Sequence, residues 1–480
     1  YHVNGRTVTE TGEFPVEYER TDMRLIESNV INLYPEFEFQ EIEGFGGAMT
    51  ESSAYLLMQM GEKERKEALQ DIFGEGGLGF CFVRIHMDSC DYSLDEYQAV
   101  PDPVADPELE TFSIDRDRKY IIPVMKQVLE MSARPISVLL SPWSPPWQWK
   151  TPPAAKKNDE EVYGGGGLPG EAAVSDGPQR NNGGSLKPEF YGSWAKYVVK
   201  YVQAYLDEGI PVTMMTIQNE TVAATCWDSC VWTPEESRIY LQDYLYPEMK
   251  KAGLTDKVEL YIWDHNKERM IEHAEKVLTD ATKDMIAGIA FHWYSGDHFE
   301  AVDLLSGKYP HMKMMLSECC ALHRPGRIGS SSPDCAFLTP QRVDYLDAAA
   351  YAHDMIGNLN AGMSKWIDWN LVVDEEGGPR HVPGGFTSGL IADKDGGYRR
   401  PIMHDYIRHF SAHIMPGAKR IGYSRFGDGI EVTAVRNPDG SIAAVLLNRQ
   451  QQDQGCYLRV QGTLTRISVP AETISTVVLR

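Results

Sequence analysis

The sequence contains no run of 18 or more apolar residues, so no segment is expected to cross a membrane as a helix. Basic residues are also few, since 46 Lys and Arg stand against 69 Asp and Glu, giving a formal net charge of −23. A nucleic-acid-binding surface needs a basic face, and no nucleic-acid partner is therefore expected. A neutral ligand is compatible with this charge.

Cysteine is scarce as well, with eight in 480 residues, which excludes a scaffold built from disulfides. Cys226 and Cys230 are four residues apart, and Cys319 adjoins Cys320, but no spacing matches a zinc motif. We interpret most cysteines as reduced and structural, and a Cys226–Cys230 bridge is not expected. His265 and His292 show no matching ligand cluster in the sequence, so a metal site is not expected.

Motifs of several enzyme classes are absent. There is no Gly-x-Ser-x-Gly elbow, which disfavours a Ser–His–Asp hydrolase. The Gly-rich stretch Glu43–Glu51 matches no phosphate-binding pattern and is interpreted as close backbone packing. The start, Tyr1–Asn4, shows no basic region followed by an apolar run. We expect a soluble protein, and the sequence leaves open both its compartment, cytoplasmic or secreted, and its oligomeric state.

A repeating pattern dominates the middle of the chain. About eight short apolar runs alternate with helical patterns, which is the period of a (β/α)8 TIM barrel. The predicted strands are the Gly-rich run from Gly44, then Phe80–Met87, Ile136–Leu140, Pro211–Glu220, Val258–Trp263, Ile286–Phe291, Lys313–Glu318 and Ser364–Trp369. Short strands and turns precede and follow this region, and predict an all-β sandwich domain built from both termini. We therefore predict an α/β protein with sandwich strands in 1–40, a catalytic barrel in 41–397 and a sandwich in 398–480.

Two of the predicted strands end on a carboxylate. The run Pro211–Glu220 ends on Glu220, and Lys313–Cys320 carries Glu318 in the same place. Barrel enzymes keep their catalytic groups at the C-terminal ends of the strands. Aromatic residues follow other strands, as in Ser141–Trp149, and the combination indicates a sugar site.

Glycosidic cleavage needs a proton for the leaving oxygen and stabilisation of an oxocarbenium-like centre. Two carboxylates do both if one is protonated and the other is ionised. A separation of about 5 Å means retention and about 6.5–9.5 Å means inversion, and the sequence leaves both open. Arg84 lies in an apolar run and needs a carboxylate partner, either the nucleophile or a structural ion pair. The segment Pro152–Pro188 has no hydrophobic period and is either a disordered surface flap or a substrate-contacting loop.

Eight stretches of the sequence carry a family resemblance. In chain order they are Glu43–Glu51, Arg84–Ser93, Ser141–Pro146, Gln218–Glu220, Phe291–Tyr294, Ser317–Glu318, Asp368–Leu371 and Pro416–Arg420. Together they resemble glycoside hydrolase family 30, in its glucosylceramidase-like branch with bacterial homologues. The resemblance runs from about residue 40 to the C-terminus.

The resemblance implies the fold, the mechanism and the site residues. It implies a barrel with a β-sandwich from both termini, a retaining mechanism, and no metal or organic cofactor. Glu220 would be the acid/base and Glu318 the nucleophile. The remaining implied site residues are Arg84 and Tyr294 beside the nucleophile, Asn219 at the sugar 2-hydroxyl, Asp91, Trp143 and Trp369 around the terminal sugar, and His292 as an orienting residue.

The sequence departs from that branch near the sugar. In that branch, a Gly-Gly-Pro motif is usually followed by Asn, whereas Arg380 follows the motif in this sequence. The branch also has an Asn-Phe pair nearby, and here Gly385 takes the place of that Asn before Phe386. Thr221 also stands where Pro commonly follows the acid/base. The expected function is a retaining, exo-acting β-glucosidase on a carbohydrate or glycolipid, either glucosylceramide-like or a small oligosaccharide. The alternatives are a β-xylosidase, an endo-β-1,6-glucanase, and an inactive carbohydrate-binding protein.

Overall fold

The computed structural model describes residues 2–3, 8–9, 18–19, 29–151, 181–225, 227–321, 340–382 and 384–480. Cys226 and residues 152–180 of the predicted Pro152–Pro188 loop lie outside this set, so the predictions made for them stay predictions. Among the described residues, four strands precede the barrel: β1 His2–Val3, β2 Val8–Thr9, β3 Tyr18–Glu19 and β4 Val30–Ile42.

Eight parallel strands close into a barrel within the described part of the chain. They are β5 Gly44–Ala48, β6 Phe82–Met87, β7 Ser137–Pro142, β8 Val212–Thr216, β9 Glu259–Asn266, β10 Gly288–His292, β11 Lys313–Glu318 and β12 Met363–Asp368. Each strand pairs with its neighbours in chain order, and β12 returns to β5 through Lys365 and Gly44. The predicted (β/α)8 barrel is confirmed, with strand bounds within a few residues of the prediction.

Helices surround the barrel strands. They are α1 Glu51–Gln59, α2 Glu62–Phe73, α3 Ile121–Met131, α4 Tyr191–Asp207, α5 Pro234–Tyr240, α6 Tyr246–Lys251, α7 Met270–Val277, α8 Phe299–Lys308 and α9 Pro340–Asn360. The sequence predicts helix from Ser53 to about Phe73, and the structure divides this range into the two helices α1 and α2. The backbone of Met60 is extended and Gly61 caps a second helix, so the chain turns between α1 and α2.

A capping box at Thr233 and Glu236 starts α5, as the sequence predicts. The single helix predicted from there to about Ala252 is interrupted, because a π-helical turn, Leu241–Leu245, separates α5 from α6. Such turns add one residue to an otherwise continuous helix and leave little trace in a hydrophobic pattern.

The second domain is an eight-stranded sheet among the described residues, in the order β21, β18, β17, β16, β4, β19, β20 and β3. Its C-terminal strands are β16 Ala418–Arg425, β17 Glu431–Arg436, β18 Ile442–Asn448, β19 Gln454–Val460, β20 Thr463–Val469 and β21 Thr473–Leu479. Three earlier strands form a small separate sheet: β13 Val372–Asp374, β14 Leu390–Ala392 and β15 Tyr398–Arg399. N-terminal β4 lies between β16 and β19, so both termini build the domain, as predicted.

Strand β4 is a single strand of 13 residues that includes Pro35. Tyr34 pairs with Gly422 and Glu38 with Ile421, so the residues between them bulge out of this ladder. Proline lacks the N–H that a ladder needs and is tolerated at such a bulge.

One further helix, α10 Ile402–Ser411, lies between the small sheet and β16. Its His409 Nδ1 stands 2.9 Å from Thr476 Oγ1 of β21, which ties the helix to the sandwich. The division of the chain at residues 40 and 397 stays a prediction.

The lower part of the barrel is filled by apolar side chains, which leaves the polar residues at the other end. The buried group there is Cys81, Phe82, Leu139, Met214, Tyr261, Ala290, Met315 and Ile367. Lys365, beneath it, contacts Glu43 at 2.7 Å and Tyr261 at 3.0 Å. Side chains two residues further along a strand point the same way, so Arg84 lies above Phe82. Across the described residues, no helix has both the length and the apolar character to span a bilayer.

Candidate active site

Several residues at the C-terminal ends of the barrel strands have an unusual backbone. Asp88, Glu220, Asp264 and Asn370 have φ between 49° and 57°, a region that non-glycine residues seldom occupy. All four follow or end a barrel strand. Backbone strain of this kind concentrates at functional sites, where the surrounding structure holds it in place. The end of the barrel that the sequence predicts to be functional is therefore also the strained end.

Two β-bulges flank β10 at the same end. The register shifts between Ala290 and Phe291 against β9, and again between Phe291 and His292 against β11. The residues left out of the two ladders are Asp264 and Ser317, and the Ser317 hydroxyl donates to Asp264 Oδ1 at 2.5 Å. Bulges redirect side chains, and these two turn Asp264 toward the barrel axis.

Glu318 is held by a cation and a hydroxyl. Arg84 Nη1 donates to Glu318 Oε2 at 2.6 Å, and Tyr294 Oη donates to Glu318 Oε1 at 2.8 Å. The Tyr294 oxygen also lies 3.1 Å from Cys320 Sγ. Both carboxylate oxygens of Glu318 therefore have a donor, one of them positively charged.

Arg84 is fully buried and uses the rest of its guanidinium on three other residues. Nη2 donates to Asp264 Oδ2 and to Asn219 Oδ1, each at 2.8 Å, and Nε donates to Ser141 Oγ at 3.1 Å. Burial raises the pKa of Asp264, but Arg84 and the hydrogen bonds to its carboxylate outweigh burial and lower it well below its usual value. Arg84 thus has two carboxylate partners, where the sequence required one.

Glu220 faces two imidazoles. Its Oε1 lies 3.4 Å from His292 Nδ1 and 3.5 Å from His265 Nδ1. Burial alone raises the pKa of Glu220, but the two imidazoles outweigh it and lower the pKa to about 2. For His292, burial lowers the pKa, whereas Glu318, Asp264 and Glu220 together raise it to about 9. The two imidazoles therefore favour the ionised carboxylate of Glu220, and the three carboxylates around His292 favour its charged imidazole.

The two carboxylates approach the same imidazole nitrogen. His292 Nδ1 lies 3.4 Å from Glu220 Oε1 and 4.0 Å from Glu318 Oε1. Because both oxygens lie so close to one nitrogen, the two carboxylates must also lie close to each other. One anomeric carbon fits between carboxylates at such a separation.

Aromatic rings form one wall of the site. The rings of Trp143 and Trp369 stack at 5.3 Å between centroids, and the Arg84 guanidinium lies 4.8 Å from the Trp143 ring. Lys150 fixes the segment that carries Trp143, because its buried ammonium donates to the Ser144 hydroxyl and to three backbone carbonyls. Trp143 and Trp369 therefore lie together beside Arg84, and their position around a terminal sugar stays a prediction.

Asp91 is buried in an ion pair. Arg380 Nη2 lies 3.1 Å from Asp91 Oδ2, and the guanidinium packs over the rings of Tyr92 and Phe386 at 4.8 and 5.2 Å. Burial raises the pKa of Asp91 to about 7, and Arg380 opposes that rise. The residue that departs from the family pattern, Arg380, is thus the partner of a predicted sugar-binding residue.

Sequence reasoning missed three contributors: Asp264, His265 as a neighbour of Glu220, and the Arg380 partnership. The triplet Asp264–Asn266 at the end of a strand was a visible signal. The sequence showed no ligand cluster, yet single ligand atoms of Glu220, His265 and His292 lie within 4.8 Å of one another. The partners come from three different strand ends, and spacing along the chain could not reveal them.

Residues 42–414 match the family model described as the glycosyl hydrolase family 30 TIM-barrel domain, and residues 417–477 match the family 30 beta sandwich domain. The chain belongs to glycoside hydrolase family 30. As a family 30 member it is a glycosidase that hydrolyses O-glycosyl bonds, with the retaining mechanism typical of the family.

Proteins similar to this chain include a glucosylceramidase and an endo-1,6-beta-D-glucanase, so similarity alone does not select one activity. It is 31% identical over 438 residues to lysosomal acid glucosylceramidase of Mus musculus, covering 88% of this chain and 78% of that protein. It is 25% identical to endo-1,6-beta-D-glucanase neg1 of Aspergillus fumigatus, over 92% and 85% of the two chains. The structure of SrfJ from Salmonella typhimurium superposes with a TM-score of 0.84 at 30% identity, covering 97% and 95%.

Proposed function

We propose that the chain is an exo-acting β-glucosidase in which Glu318 is the nucleophile and Glu220 the acid/base. The observation that carries the assignment is the convergence of both carboxylates on His292 Nδ1, together with their different neighbours. Glu318 accepts one hydrogen bond from the Arg84 cation and one from the Tyr294 hydroxyl, which hold both of its oxygens in place. Glu220 has no arginine among its described contacts and faces imidazoles instead.

The proposed reaction has two steps. A Glu318 oxygen bonds to C1 while the bond from C1 to the leaving oxygen breaks. Glu220 receives a proton from His292 Nδ1, which lies 3.4 Å from its Oε1, and gives it to the leaving oxygen. Water then attacks C1, its proton passes to Glu220, and the bond to Glu318 breaks. Asn219 is fixed by Arg84, which supports its role at the sugar 2-hydroxyl, where contacts strengthen in the transition state.

The substrate side of the proposal rests on the buried wall. Trp143 and Trp369 offer an apolar surface for a sugar face, and Asp91 with Arg380 offers acceptors and donors for hydroxyl groups. Because Asp91 and Arg380 are both nearly buried, they suit a terminal sugar better than the middle of a long chain. The similarity to lysosomal acid glucosylceramidase supports a β-glucoside, either glucosylceramide-like or a small oligosaccharide.

A second candidate is an endo-β-1,6-glucanase. The similarity to endo-1,6-beta-D-glucanase neg1 supports it, as does the replacement of two family asparagines at Arg380 and Gly385. An inactive carbohydrate-binding protein is disfavoured, because both carboxylates and the residues that hold them are present.

A panel of aryl β-glycosides tests the proposal: glucoside, xyloside, fucoside and galactoside, assayed beside glucosylceramide in detergent and β-1,6-glucan. We expect the glucoside to have the highest kcat/KM and β-1,6-glucan to release no oligosaccharides. Preferred turnover of the xyloside would indicate a β-xylosidase. Release of oligosaccharides from β-1,6-glucan, without comparable turnover of aryl glucoside, would replace the proposal with the second candidate.

A further inference from the structure

Three nitrogen and oxygen atoms around Glu220 are spaced like the ligands of a small metal ion. Glu220 Oε1 lies 3.4 Å from His292 Nδ1 and 3.5 Å from His265 Nδ1, and the three ligand atoms all lie within 4.8 Å of one another. Zinc binds histidine nitrogen and carboxylate oxygen at about 2.0–2.2 Å in tetrahedral geometry, so neighbouring ligand atoms stand roughly 3.4 Å apart. Two edges of the observed triangle already have this length.

His265 supplies an independent observation. The residue is 4% exposed, and its Nδ1 makes no hydrogen bond among the described residues. Glu220 Oε1 lies 3.5 Å from this nitrogen, beyond a normal hydrogen-bond length. A buried ring nitrogen without a hydrogen bond costs free energy and needs an explanation. A cation bound between His265 Nδ1 and Glu220 would be coordinated by the lone pair of that nitrogen, which makes no hydrogen bond among the described residues.

His292 is oriented as metal-bound histidines are. Its Nε2 lies 3.0 Å from Asp264 Oδ1, which directs Nδ1 toward Glu220. Metal-binding histidines commonly donate their second ring N–H to a carboxylate, which fixes the ring and increases the basicity of the other nitrogen. Asp264 is held in turn by Arg84 at 2.8 Å, so the ring is fixed from behind.

We propose that Glu220, His265 and His292 form a binding site for Zn²⁺, and that an ion bound there inhibits the enzyme. Two nitrogen ligands and one oxygen ligand suit zinc, whereas Mg²⁺ and Ca²⁺ require oxygen ligands. Three protein ligands leave a fourth position for water. The ion binds the carboxylate of Glu220 and thereby competes with the proton that this residue exchanges with the substrate. The binding stands on the geometry alone, and only the inhibition rests on the acid/base role proposed above for Glu220.

Binding is measured first, without substrate, by calorimetric titration of the metal-depleted full-length protein with Zn²⁺. We expect one zinc ion per chain at this site, and at least a tenfold loss of affinity in both His265→Asn and Glu220→Gln. His311→Gln removes an exposed histidine outside the site and serves as the matched control, with unchanged affinity. Circular dichroism and thermal unfolding establish that each variant is folded. Equal zinc affinity in the native protein and both site variants would overturn the proposal.

Co²⁺ reports the ligand set directly. We expect visible d–d bands of a four- or five-coordinate ion without a thiolate charge-transfer band, and loss of these bands in His265→Asn. A thiolate band in the native protein would place the ion on cysteine and overturn the assignment.

Inhibition is measured separately, on an aryl β-glucoside. Zn²⁺ should reduce the rate at the concentration that saturates the calorimetric site, a chelator should restore it, and Mg²⁺ should have no effect. Binding at His265 without inhibition would contradict the acid/base role of Glu220 and leave the metal site standing. Inhibition that His265→Asn does not weaken would overturn the link between site and inhibition.

Discussion

Arg84 and Glu318 form a buried ion pair with 2.6 Å between Nη1 and Oε2, and the Arg84 side chain has no exposed surface. The same guanidinium bonds to Asp264 and Asn219, so one cation orders the nucleophile candidate, its acidic neighbour and an amide. The planar guanidinium of arginine has several N–H donors in fixed directions and can bond to all three residues, whereas the compact ammonium of lysine cannot. The relationship explains why an arginine stands in the middle of an otherwise apolar barrel strand.

Arg84→Lys should therefore fold and fail as an enzyme. Lysine keeps the charge but reaches only one of the groups that Arg84 bonds, so we expect kcat/KM to fall by about 10²–10³-fold. Arg118→Lys is the matched control, because Arg118 makes an exposed ion pair with Glu208. Steady-state kinetics with an aryl β-glucoside measures the effect. A loss smaller than tenfold in the folded variant would contradict the account of Arg84.

The two carboxylates should respond differently to azide. Glu318→Gln should abolish turnover, since no covalent bond to C1 can form. Glu220→Gln should still form the glycosyl-enzyme from an aryl glycoside with a good leaving group, while slow leaving groups lose about 10²–10⁴-fold. Azide should then restore release, as a glycosyl azide of retained configuration, in Glu220→Gln only. The role assignment fails if azide rescues neither variant.

The Arg380–Asp91 pair should contribute to stability as well as to substrate binding. Arg380→Met leaves a buried carboxylate without its cation, and we expect a loss of about 3–5 kcal/mol in the free energy of unfolding. Adding Asp91→Asn should recover much of this loss, which denaturant unfolding measures. Lys394→Met, at the exposed pair with Glu376, serves as the control and should change stability by less than about 0.5 kcal/mol. Equal stability of native protein and Arg380→Met would refute the prediction.

His353 should make stability depend on pH. It lies on α9, lines a cavity of about 590 Å³ away from the active site, and contacts Glu431 at 2.5 Å and Asp297 at 3.0 Å. The hydrogen bond that the His353 ring donates to Glu431 raises the pKa of His353 most. Burial opposes the rise, Asp297 adds to it, and Arg449 lowers the pKa. A raised folded pKa means that this stability is fully present below the unfolded value of about 6.5 and is lost as pH rises through the folded pKa.

His353→Gln should therefore be less stable than the native protein at pH 6, and the difference should shrink as the pH is raised above the folded pKa. Thermal unfolding across this range measures it, with His311→Gln as the exposed control. A difference that stays constant with pH would show that His353 does not titrate as described.

The sequence predicted the barrel because its strands are marked by apolar runs that end on polar or aromatic residues. Glu220 and Glu318 were recognisable from their place at such ends. Asp264 was not, because its role depends on a bulge in β9 and on partners from β6 and β10. A bulge adds one residue without changing the hydrophobic pattern, so pattern reading cannot detect it.

Other differences have equally local causes. The extended backbone at Met60 divides the predicted helical region into α1 and α2, and a three-residue bulge at Pro35 lies within the single strand β4. The Glu220 environment is the larger difference. An acid/base role predicts a protonated carboxyl at Glu220, whereas His265 and His292 favour the ionised form of that carboxyl. Neither histidine is near Glu220 in the chain, so only the folded barrel reveals the contact.

The central claim is that Glu318 bonds to the anomeric carbon while Glu220 does not. The most direct measurement uses 2,4-dinitrophenyl 2-deoxy-2-fluoro-β-glucoside, which forms a glycosyl-enzyme that hydrolyses slowly, followed by proteolysis and mass spectrometry. The account predicts one fluoroglucosyl group per chain, carried by the peptide that contains Glu318. A label on the Glu220 peptide, or dinitrophenol release in an enzyme that never carries a label, would contradict it.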